Sequence, residues 1–159
     1  MFKLISKTLA AVAMVSVALF GSANAKTLKI ETHFTASSPN GEVAAQFAKN
    51  VEMFSGGSLK IEMFYSSSVT GKSAEVFNSA QTGIIDCDMT GAGYQTGKNA
   101  AFQFAGDVMG GYDNPYQQYE FLNFPGAQEA VDALYNKYGM TLIGWWIPGH
   151  ESLISSRPI

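Results

Sequence analysis

Three segments of the chain alternate or cluster apolar residues in the way that is typical of short β-strands. In TLKIETHF, Leu28 and Ile30 alternate with charged residues, and in SLKIEMFYSS the same holds for Leu59 and Ile61. The third segment, IIDCDMTGAG, is a short apolar run that leads into a glycine-rich loop. The pattern therefore predicts three strands within the first two thirds of the chain.

Helical spacing fills the intervals between these strands. In TASSPNGEVAAQFAKNVEMFSGG, Ser37 or Ser38 is suited to cap a helix, Pro39 fits its first turn, and the glycines at 56 and 57 end it. The apolar face expected for this helix consists of Val43, Phe47, Val51 and Phe54. A shorter helix is predicted across KSAEVFNSAQTG, with Gly83 as its C-terminal cap. Alternating strands and helices predict an α/β fold with a mainly parallel sheet.

The pattern is weaker beyond the third strand. From Asn99 to Tyr112 it predicts a loop with one short helical piece. NPYQQYEFLN and GAQEAVDALYNKYG predict two helices that are separated near Pro125 and Gly126 and end at Gly139. MTLIGWWI predicts a further strand, and PGHESLISSRPI a turn that leads into an extended segment.

The amino-terminal 25 residues have the pattern of a secretory signal peptide. Lys3 and Lys7 precede an apolar run from residue 9 to residue 20, and Ala-Asn-Ala at 23–25 forms a cleavage site. The apolar run is short for a membrane span. We therefore expect residues 1–25 to be removed and the mature, exported chain to begin at Lys26.

Charge and cysteine content narrow the classes of protein further. The net charge is −3, and the chain becomes more acidic when the two lysines of the signal peptide are removed. An acidic chain without a basic patch argues against nucleic acid as a partner. A single cysteine, Cys87, rules out an intramolecular disulfide, so the fold depends on packing of its apolar residues.

Loops that follow the carboxyl ends of strands are where open α/β sheets bind ligands. Three such loops are predicted here, at residues 33–38, 65–70 and 91–94, and WWIPGHES would form a fourth. Each of them contains side chains that suit a small polar ligand.

Candidate binding residues follow from these loops. His33 can hydrogen-bond an anion, although a loop histidine without a role is an equal alternative. The serines at 66–68, with Ser67 in the centre, offer hydroxyl and N–H groups to an anion, or simply form a capping turn. Gly91 and Gly93 allow the backbone to approach a ligand, and Tyr94 is placed to close over it.

The last predicted loop adds aromatic and charged candidates. Trp145 and Trp146 occupy adjacent strand positions and should point to opposite faces, one into the core and one, Trp146, into a cleft. His150 and Glu151 follow a Pro-Gly turn, and two ligands are too few for a structural zinc site. Glu151 is the candidate ligand for a cation such as sodium or calcium bound together with a solute.

Two aspartates near the third strand could form an acid/base pair. Asp86 and Asp88 are spaced to lie on one face of the strand, where a solvated or capping role is expected over acid/base chemistry. Cys87, on the opposite face, is expected to be a buried apolar thiol without a histidine to activate it.

Three longer runs together carry a family resemblance: FSGGSLKIEMFYSSSVTG, VFNSAQTGIIDCDMTGAGYQTGK and GWWIPGHESLISSRPI. They resemble the solute-binding component of TRAP-type (tripartite ATP-independent periplasmic) transporters, the DctP-like family. The resemblance implies a type II periplasmic-binding-protein-like α/β fold, with residues 26–140 as the first lobe and residues 141–159 as the crossover into a truncated second lobe. It further implies a periplasmic, non-enzymatic protein that captures a 2-oxo acid or another small carboxylate and delivers it to membrane subunits.

Two alternatives remain open at this point. One is a small secreted hydrolase or lyase that uses Asp86, Asp88 and Glu151, and the other is a single lobe repurposed as a sensor. A homodimer is also left open. The carboxylate-binding arginine of the resembling family belongs to a segment expected beyond Ile159, and its role is not transferred to Arg157.

Overall fold

The computed structural model describes residues 25–106, 108, 111–147 and 155–157. The predicted signal peptide, apart from Ala25, lies outside this part of the chain. So do two candidate site residues, His150 and Glu151.

The three predicted strands form one parallel sheet. They are β1 (Lys26–Thr32), β2 (Leu59–Phe64) and β3 (Cys87–Met89), in the order β2-β1-β3. In register, Ile30 of β1 lies between Met63 and Cys87. The prediction of a mainly parallel α/β sheet is confirmed.

β3 is shorter than its apolar pattern suggests. The backbone N–H groups of Ile84 and Ile85 both donate to the carbonyl of Ser79, at 2.9 and 3.3 Å, and so belong to the turn that leaves the preceding helix. Ile85 is nevertheless buried, whereas Ile84 is 58 % exposed. The apolar run therefore begins in the turn, before the first residue of β3.

The two helices between the strands begin and end close to the predicted residues. α1 spans Pro39–Phe54, and its N-cap Ser38 accepts a hydrogen bond from the N–H of Gly41 at 3.1 Å. α2 spans Ser73–Gln81 and is followed by Gly83 in the left-handed region, with φ of +78°. Both helix predictions are confirmed.

The apolar face predicted for α1 is partly wrong. Val43 is 50 % exposed and Phe54 80 % exposed, whereas the buried residues of this helix are Gly41 and Ala44. α1 contacts β2, an edge strand. A single edge strand can cover only part of the surface of a helix. The buried face of α1 is therefore narrower than its apolar face.

The second half of the described chain is helical. Two 3₁₀ helices, Ala92–Gln95 and Ala100–Ala105, precede α3 (Pro115–Asn123) and α4 (Ala127–Asn136). Gly126, with φ of +97°, separates the last two helices as predicted. The first 3₁₀ helix replaces the glycine-rich loop expected after β3.

The strand expected from MTLIGWWI is not present: residues 140–147 have no regular structure. The N–H of Leu142 donates instead to the carboxylate of Asp132 on α4, at 2.8 Å. A strand needs a neighbouring backbone to pair with, and the described residues provide none beside this segment.

An aromatic core positions the helices against the sheet. Phe77 of α2 and Phe102 are fully buried, and their ring centroids lie 5.9 Å apart in an edge-to-face arrangement. Tyr135 and Tyr138 pack against both rings. This cluster packs α2, the second 3₁₀ helix and α4 against one another, and α2 in turn contacts β1 and β3. Among the described helices, none combines the length and apolarity needed to cross a bilayer.

Candidate functional site

The strand order places a ligand crevice at one edge of the sheet. β1 is the central strand. The chain passes from β1 to β2 on one side of it, and then from β2 to β3 on the opposite side of β1. Right-handed crossovers then put the two connecting helices on opposite faces of the sheet. An open sheet of this order has its switch point between β1 and β3, and ligands bind outside the carboxyl ends of the strands there.

Four aromatic rings from three segments meet at this switch point. His33 directly follows β1, and Tyr94 follows β3. The centroid of the His33 ring lies 3.9 Å from the centroid of the Phe34 ring and 5.3 Å from that of the Tyr94 ring. Trp146 lies 5.9 Å from Phe34. His33 and Tyr94 are therefore in direct contact, and Trp146 joins them through Phe34, which sequence reasoning missed.

His33 is held in a form suited to hydrogen bonding. Burial lowers the pKa of its imidazole, because desolvation penalises the charged form, so the ring is neutral at pH 7. Its Nδ1 atom is buried and has no hydrogen-bond partner. The buried hydroxyl of Thr90, directly after β3, lies beside the carboxyl of Asp88 and favours its ionised form.

The turn after β2 does not present its amides to this crevice. The N–H groups of Ser66, Ser67 and Ser68 donate to the carbonyls of Phe34, Thr32 and Tyr65, respectively. The hydroxyl of Ser67 lies 3.3 Å from that of Ser73, the first residue of α2. Ser67 is 95 % buried and thus ties β1, the turn and α2 together.

The backbone of this turn is strained. Ser66 and Ser67 have φ of +57° and +50°, a region that non-glycine residues rarely occupy. Strain of this kind persists only where surrounding contacts enforce it, and it concentrates at functional sites. Here the contacts are the hydrogen bonds to the end of β1.

The loop after β3 leaves space next to Tyr94. A Cβ atom built on Gly91 would meet only the Tyr94 ring, at 3.9 Å, and one built on Gly93 would meet nothing within 4 Å. The Tyr94 side chain is 46 % exposed. Both glycines therefore leave the backbone open, and the tyrosine ring stands beside it.

Two acidic residues, one fully buried and one partly buried, come from the neighbouring strands β1 and β3. Glu31 of β1 is fully buried, and its Oε1 accepts hydrogen bonds from the N–H groups of Val69 and Thr70 at 2.6 and 3.4 Å. Asp88 of β3 stands opposite Glu31 in the register of the sheet. Burial, together with the charge of Glu31, raises the pKa of Asp88 to about 6. Hydrogen bonds from Thr90 lower this pKa but do not offset the increase.

Asp88 is therefore less solvated than the sequence led us to expect, although its side chain remains partly exposed. Asp86 does behave as expected: it is exposed, and its Oδ2 accepts a hydrogen bond from the N–H of Lys29 at 2.8 Å. Cys87 is only half-buried, and burial and the two neighbouring aspartates raise the pKa of its thiol. The raised pKa of the thiol disfavours the thiolate, and Asp86 is engaged by the backbone of β1, so these residues show no activated acid/base or nucleophilic centre.

Metal ligands do not converge in the described part of the chain. No three His, Cys, Asp or Glu side chains there are grouped so as to hold a metal ion. The structure thus provides no cation site from these residues, and Glu151 is outside them.

A separate groove of about 300 Å³ lies between the second 3₁₀ helix, α3 and α4. Its lining is apolar apart from Lys137 and includes Phe104, Phe121 and Leu134. A site for a small polar solute needs several convergent polar groups. The edge of the sheet offers these groups and the groove does not.

The site residues that sequence reasoning missed share one signal. Glu31, Phe34 and Thr90 all flank or lie two positions from residues that were singled out. In a strand, positions two apart face the same side. Including the residue two positions away from each candidate would have identified Glu31 from His33 and Thr90 from Asp88.

Comparison with known families gives one match over most of the chain. Residues 30–159 match the family described as bacterial extracellular solute-binding protein, family 7, or DctP. A comparison with curated proteins returned no match.

Solved structures with the same fold come from this class of proteins. A TRAP periplasmic solute-binding protein from Rhodobacter sphaeroides, in an apo, open form, is 27 % identical with a TM-score of 0.69. The similarity covers 75 % of this chain and 38 % of that protein. The chain thus spans well under half the length of this relative.

Two further structures contain small carboxylates. A TRAP solute-binding protein from Pseudoalteromonas atlantica, with bound sodium and pyruvate, is 20 % identical with a TM-score of 0.66, over 73 % of this chain and 35 % of that one. A Bordetella pertussis receptor that binds pyroglutamic acid is 22 % identical with a TM-score of 0.62, over 74 % and 38 %. The type II periplasmic-binding-protein-like fold is confirmed.

Proposed function

Because the chain belongs to family 7 of the bacterial extracellular solute-binding proteins, we propose that it binds a small carboxylate at the carboxyl edge of β1 and β3. The observation that carries this proposal is the meeting of His33, Tyr94 and Trp146 at the switch point of the sheet. These residues come from three different segments. Their convergence gives one polar and partly aromatic surface.

Each side chain has a distinct part in the proposed site. Neutral His33 and the hydroxyls of Thr90 and Tyr94 supply hydrogen bonds to carboxylate and neighbouring oxygen atoms. Phe34 and Trp146 form an apolar wall that excludes water and so strengthens those bonds. Gly91 lets the solute approach the backbone.

Other residues act from behind this surface. Ser67 holds the strained turn against the end of β1 and the start of α2. His150 and Glu151 remain candidate ligand-binding residues from the sequence. A cation beside the solute, as in the Pseudoalteromonas protein, would need ligands outside the described residues, and no step here depends on it.

The wider role proposed is that of an exported receptor. After removal of the signal peptide, the protein would capture its solute in the periplasm and deliver it to TRAP membrane subunits. The family relationship and the aromatic, polar edge support this role over the secreted hydrolase or lyase, since Asp86 and Asp88 form no exposed acid/base pair.

Isothermal titration of the mature protein with pyruvate, succinate and pyroglutamate tests the proposal. We expect saturable binding of at least one carboxylate, without turnover. Tyr94→Ala should weaken that binding about tenfold through loss of a hydrogen bond and a ring contact. Tyr116→Ala on α3, where the side chain is 79 % exposed, is the matched control. Equal affinities for the two variants would contradict this site, and consumption of the carboxylate would favour an enzyme.

A further inference from the structure

Glu31, the next-to-last residue of β1, is an acidic residue in a fully buried position. Its Oε1 atom accepts hydrogen bonds from the backbone N–H groups of Val69 and Thr70, at 2.6 and 3.4 Å. Its other carboxylate oxygen, Oε2, is buried without a partner among the described residues. Burying a carboxyl group costs free energy that hydrogen bonds must offset. The bonds that do so here come from the turn after β2, residues 65–70, and tie that turn to β1.

The beginning of the same turn is bonded to the segment that leaves β1. The N–H of Ser66 donates to the carbonyl of Phe34 at 2.9 Å, and the N–H of Ser67 donates to the carbonyl of Thr32 at 3.1 Å. The N–H of Phe34 donates to the hydroxyl of Thr32 at 3.4 Å. The turn therefore holds residues 32–34 at its beginning, while Glu31 holds its end.

The turn depends on these outside contacts for its shape. Ser66 and Ser67 have φ of +57° and +50°, and serine keeps such angles only where surrounding contacts enforce them. Without the Glu31 side chain, the N–H groups of Val69 and Thr70 lose their acceptor. We expect the turn then to relax toward ordinary backbone angles and to pull on the segment bonded to its beginning.

Phe34 connects the turn to the candidate solute site. Its carbonyl accepts the hydrogen bond from Ser66, and the centroid of its ring lies 3.9 Å from that of His33 and 5.9 Å from that of Trp146. His33 in turn contacts the ring of Tyr94. A shift of the Phe34 backbone therefore moves a ring against which both His33 and Trp146 pack.

We infer that Glu31 is a positioning residue for the candidate solute site: its carboxylate holds the turn at 65–70, and the turn holds Phe34 where its ring supports His33 and Trp146. The consequence for solute affinity rests on the proposed function. The consequence for the rings concerns the protein without solute.

The length of the Glu31 side chain and its charge can be separated by substitution. Glu31→Gln keeps the length and an acceptor oxygen but removes the carboxylate. Glu31→Asp keeps a carboxylate but is one methylene shorter, so it no longer reaches both N–H groups, and Glu31→Ala removes the acceptor altogether. A positioning role makes Glu31→Gln resemble the wild type and Glu31→Asp resemble Glu31→Ala. An effect of charge would make Glu31→Asp resemble the wild type instead.

The fluorescence of Trp146 tests the positioning role without any solute. Trp145 and Trp146 are the tryptophans of the chain, so each variant is made in a Trp145→Phe background. Emission should move to longer wavelength in Glu31→Ala and Glu31→Asp, because water reaches the indole when its contact with Phe34 loosens. Glu31→Gln should emit at the wavelength of its parent. Unchanged emission in Glu31→Ala and Glu31→Asp, or an equal shift in Glu31→Gln, would overturn the inference.

Glu129 offers a matched control. Like Glu31 it accepts a hydrogen bond of 2.6 Å from a backbone N–H, that of Gly126, but it is exposed at the start of α4 and belongs to none of the loops at the sheet edge. Glu129→Ala should lower the melting temperature by roughly 3 °C and leave the emission of Trp146 unchanged. An equal emission shift in Glu129→Ala would show that the signal follows lost stability, and would contradict the positioning role.

Isothermal titration with pyruvate, succinate and pyroglutamate, at a temperature where all variants are folded, tests the consequence for affinity. Glu31→Ala and Glu31→Asp should bind about tenfold more weakly than the wild type, as when a group that orients a contacting residue is lost. Glu31→Gln and Glu129→Ala should bind as the wild type does. A loss in Glu31→Gln as large as that in Glu31→Ala would assign the effect to charge and overturn the positioning role.

The two measurements separate the possible failures. If none of the three probes binds to the wild type, the proposed function fails for these solutes, and the emission of Trp146 still decides whether Glu31 positions the rings. If the wild type and all Glu31 variants bind equally, the solute site stands and the positioning role is wrong. If Glu31→Ala does not fold, Glu31→Asp, which fills most of the same space, provides the comparison with Glu31→Gln.

Discussion

The ring of Tyr94 stands edge-on against the imidazole of His33, with 5.3 Å between the ring centroids. His33 follows the central strand and Tyr94 follows β3, so the contact spans the switch point of the sheet. An edge-to-face contact fixes the orientation of both rings. It leaves the buried Nδ1 of His33 and the half-exposed Tyr94 side by side.

The glycine at position 91 should matter for binding and not for folding. Gly91→Ala places a methyl group at an ordinary 3.9 Å from the Tyr94 ring, so we expect unfolding free energy to change by less than about 0.5 kcal/mol. If the solute approaches this backbone, the methyl group lowers affinity about tenfold. Titration with the best-binding carboxylate measures this. Gly97→Ala, with nothing within 4 Å of the added Cβ, is the control, and a loss of binding confined to Gly97→Ala would contradict the assignment.

Trp146 should report solute binding through its fluorescence. Trp145 and Trp146 are the tryptophans of the chain, so Trp145→Phe isolates the indole that contacts Phe34. We expect its emission to shift when a carboxylate binds, because the solute replaces water next to the ring. The reciprocal variant, Trp146→Phe, should lose the response. A signal that persists in Trp146→Phe would place the wall of the site elsewhere.

His33 should make the protein less stable in acid. Its pKa in the folded protein is lowered from the usual value of 6.5, so the unfolded chain binds the proton more readily. Stability from this group is present above pH 6.5 and is lost as pH falls below it. Chemical denaturation between pH 7.5 and 5 should show a larger loss for the wild type than for His33→Gln. The sign is opposite to that of Asp88, so an identical pH dependence in wild type and variant would contradict a neutral, partly buried His33.

The aromatic core should dominate the stability of the helical layer. Phe77 is fully buried and its ring contacts those of Phe102, Tyr135 and Tyr138. Phe77→Ala is expected to cost about 3–5 kcal/mol of unfolding free energy through lost burial and a cavity. Phe104→Ala, at a side chain that is 68 % exposed, should change it by less than about 0.5 kcal/mol. Denaturant titration of both variants checks this difference, and similar costs for the two would contradict the assigned core.

Local patterns were sufficient for β1 to β3, the α-helices and their caps, but not for residues 140–147, where the predicted strand is absent. Ser38, Gly83 and Gly126 act on backbone groups within a few residues of themselves, and such contacts are specified by adjacent residues. The apolar face of α1 was less predictable. Val43 and Phe54 follow a helical period, but which part of a helix is covered depends on the strand beneath it.

The candidate site divides in the same way. The sequence placed His33, Gly91 and Tyr94 at strand ends, since alternation and glycine punctuation mark those ends. It did not reveal that Trp146 lies against Phe34, because that segment is not a strand and reaches the site by a path that no local period encodes.

Local periodicity and ordered motifs were enough to establish the α/β alternation, the loops available for binding and the family of the chain. Which residues face one another across β1 and β3 depended on pairing between distant segments. Parallel pairing sets Glu31 opposite Asp88 although distant parts of the chain supply them. Burial then changes the chemistry of Asp88, since desolvation and a neighbouring charge depend on what surrounds a group in space.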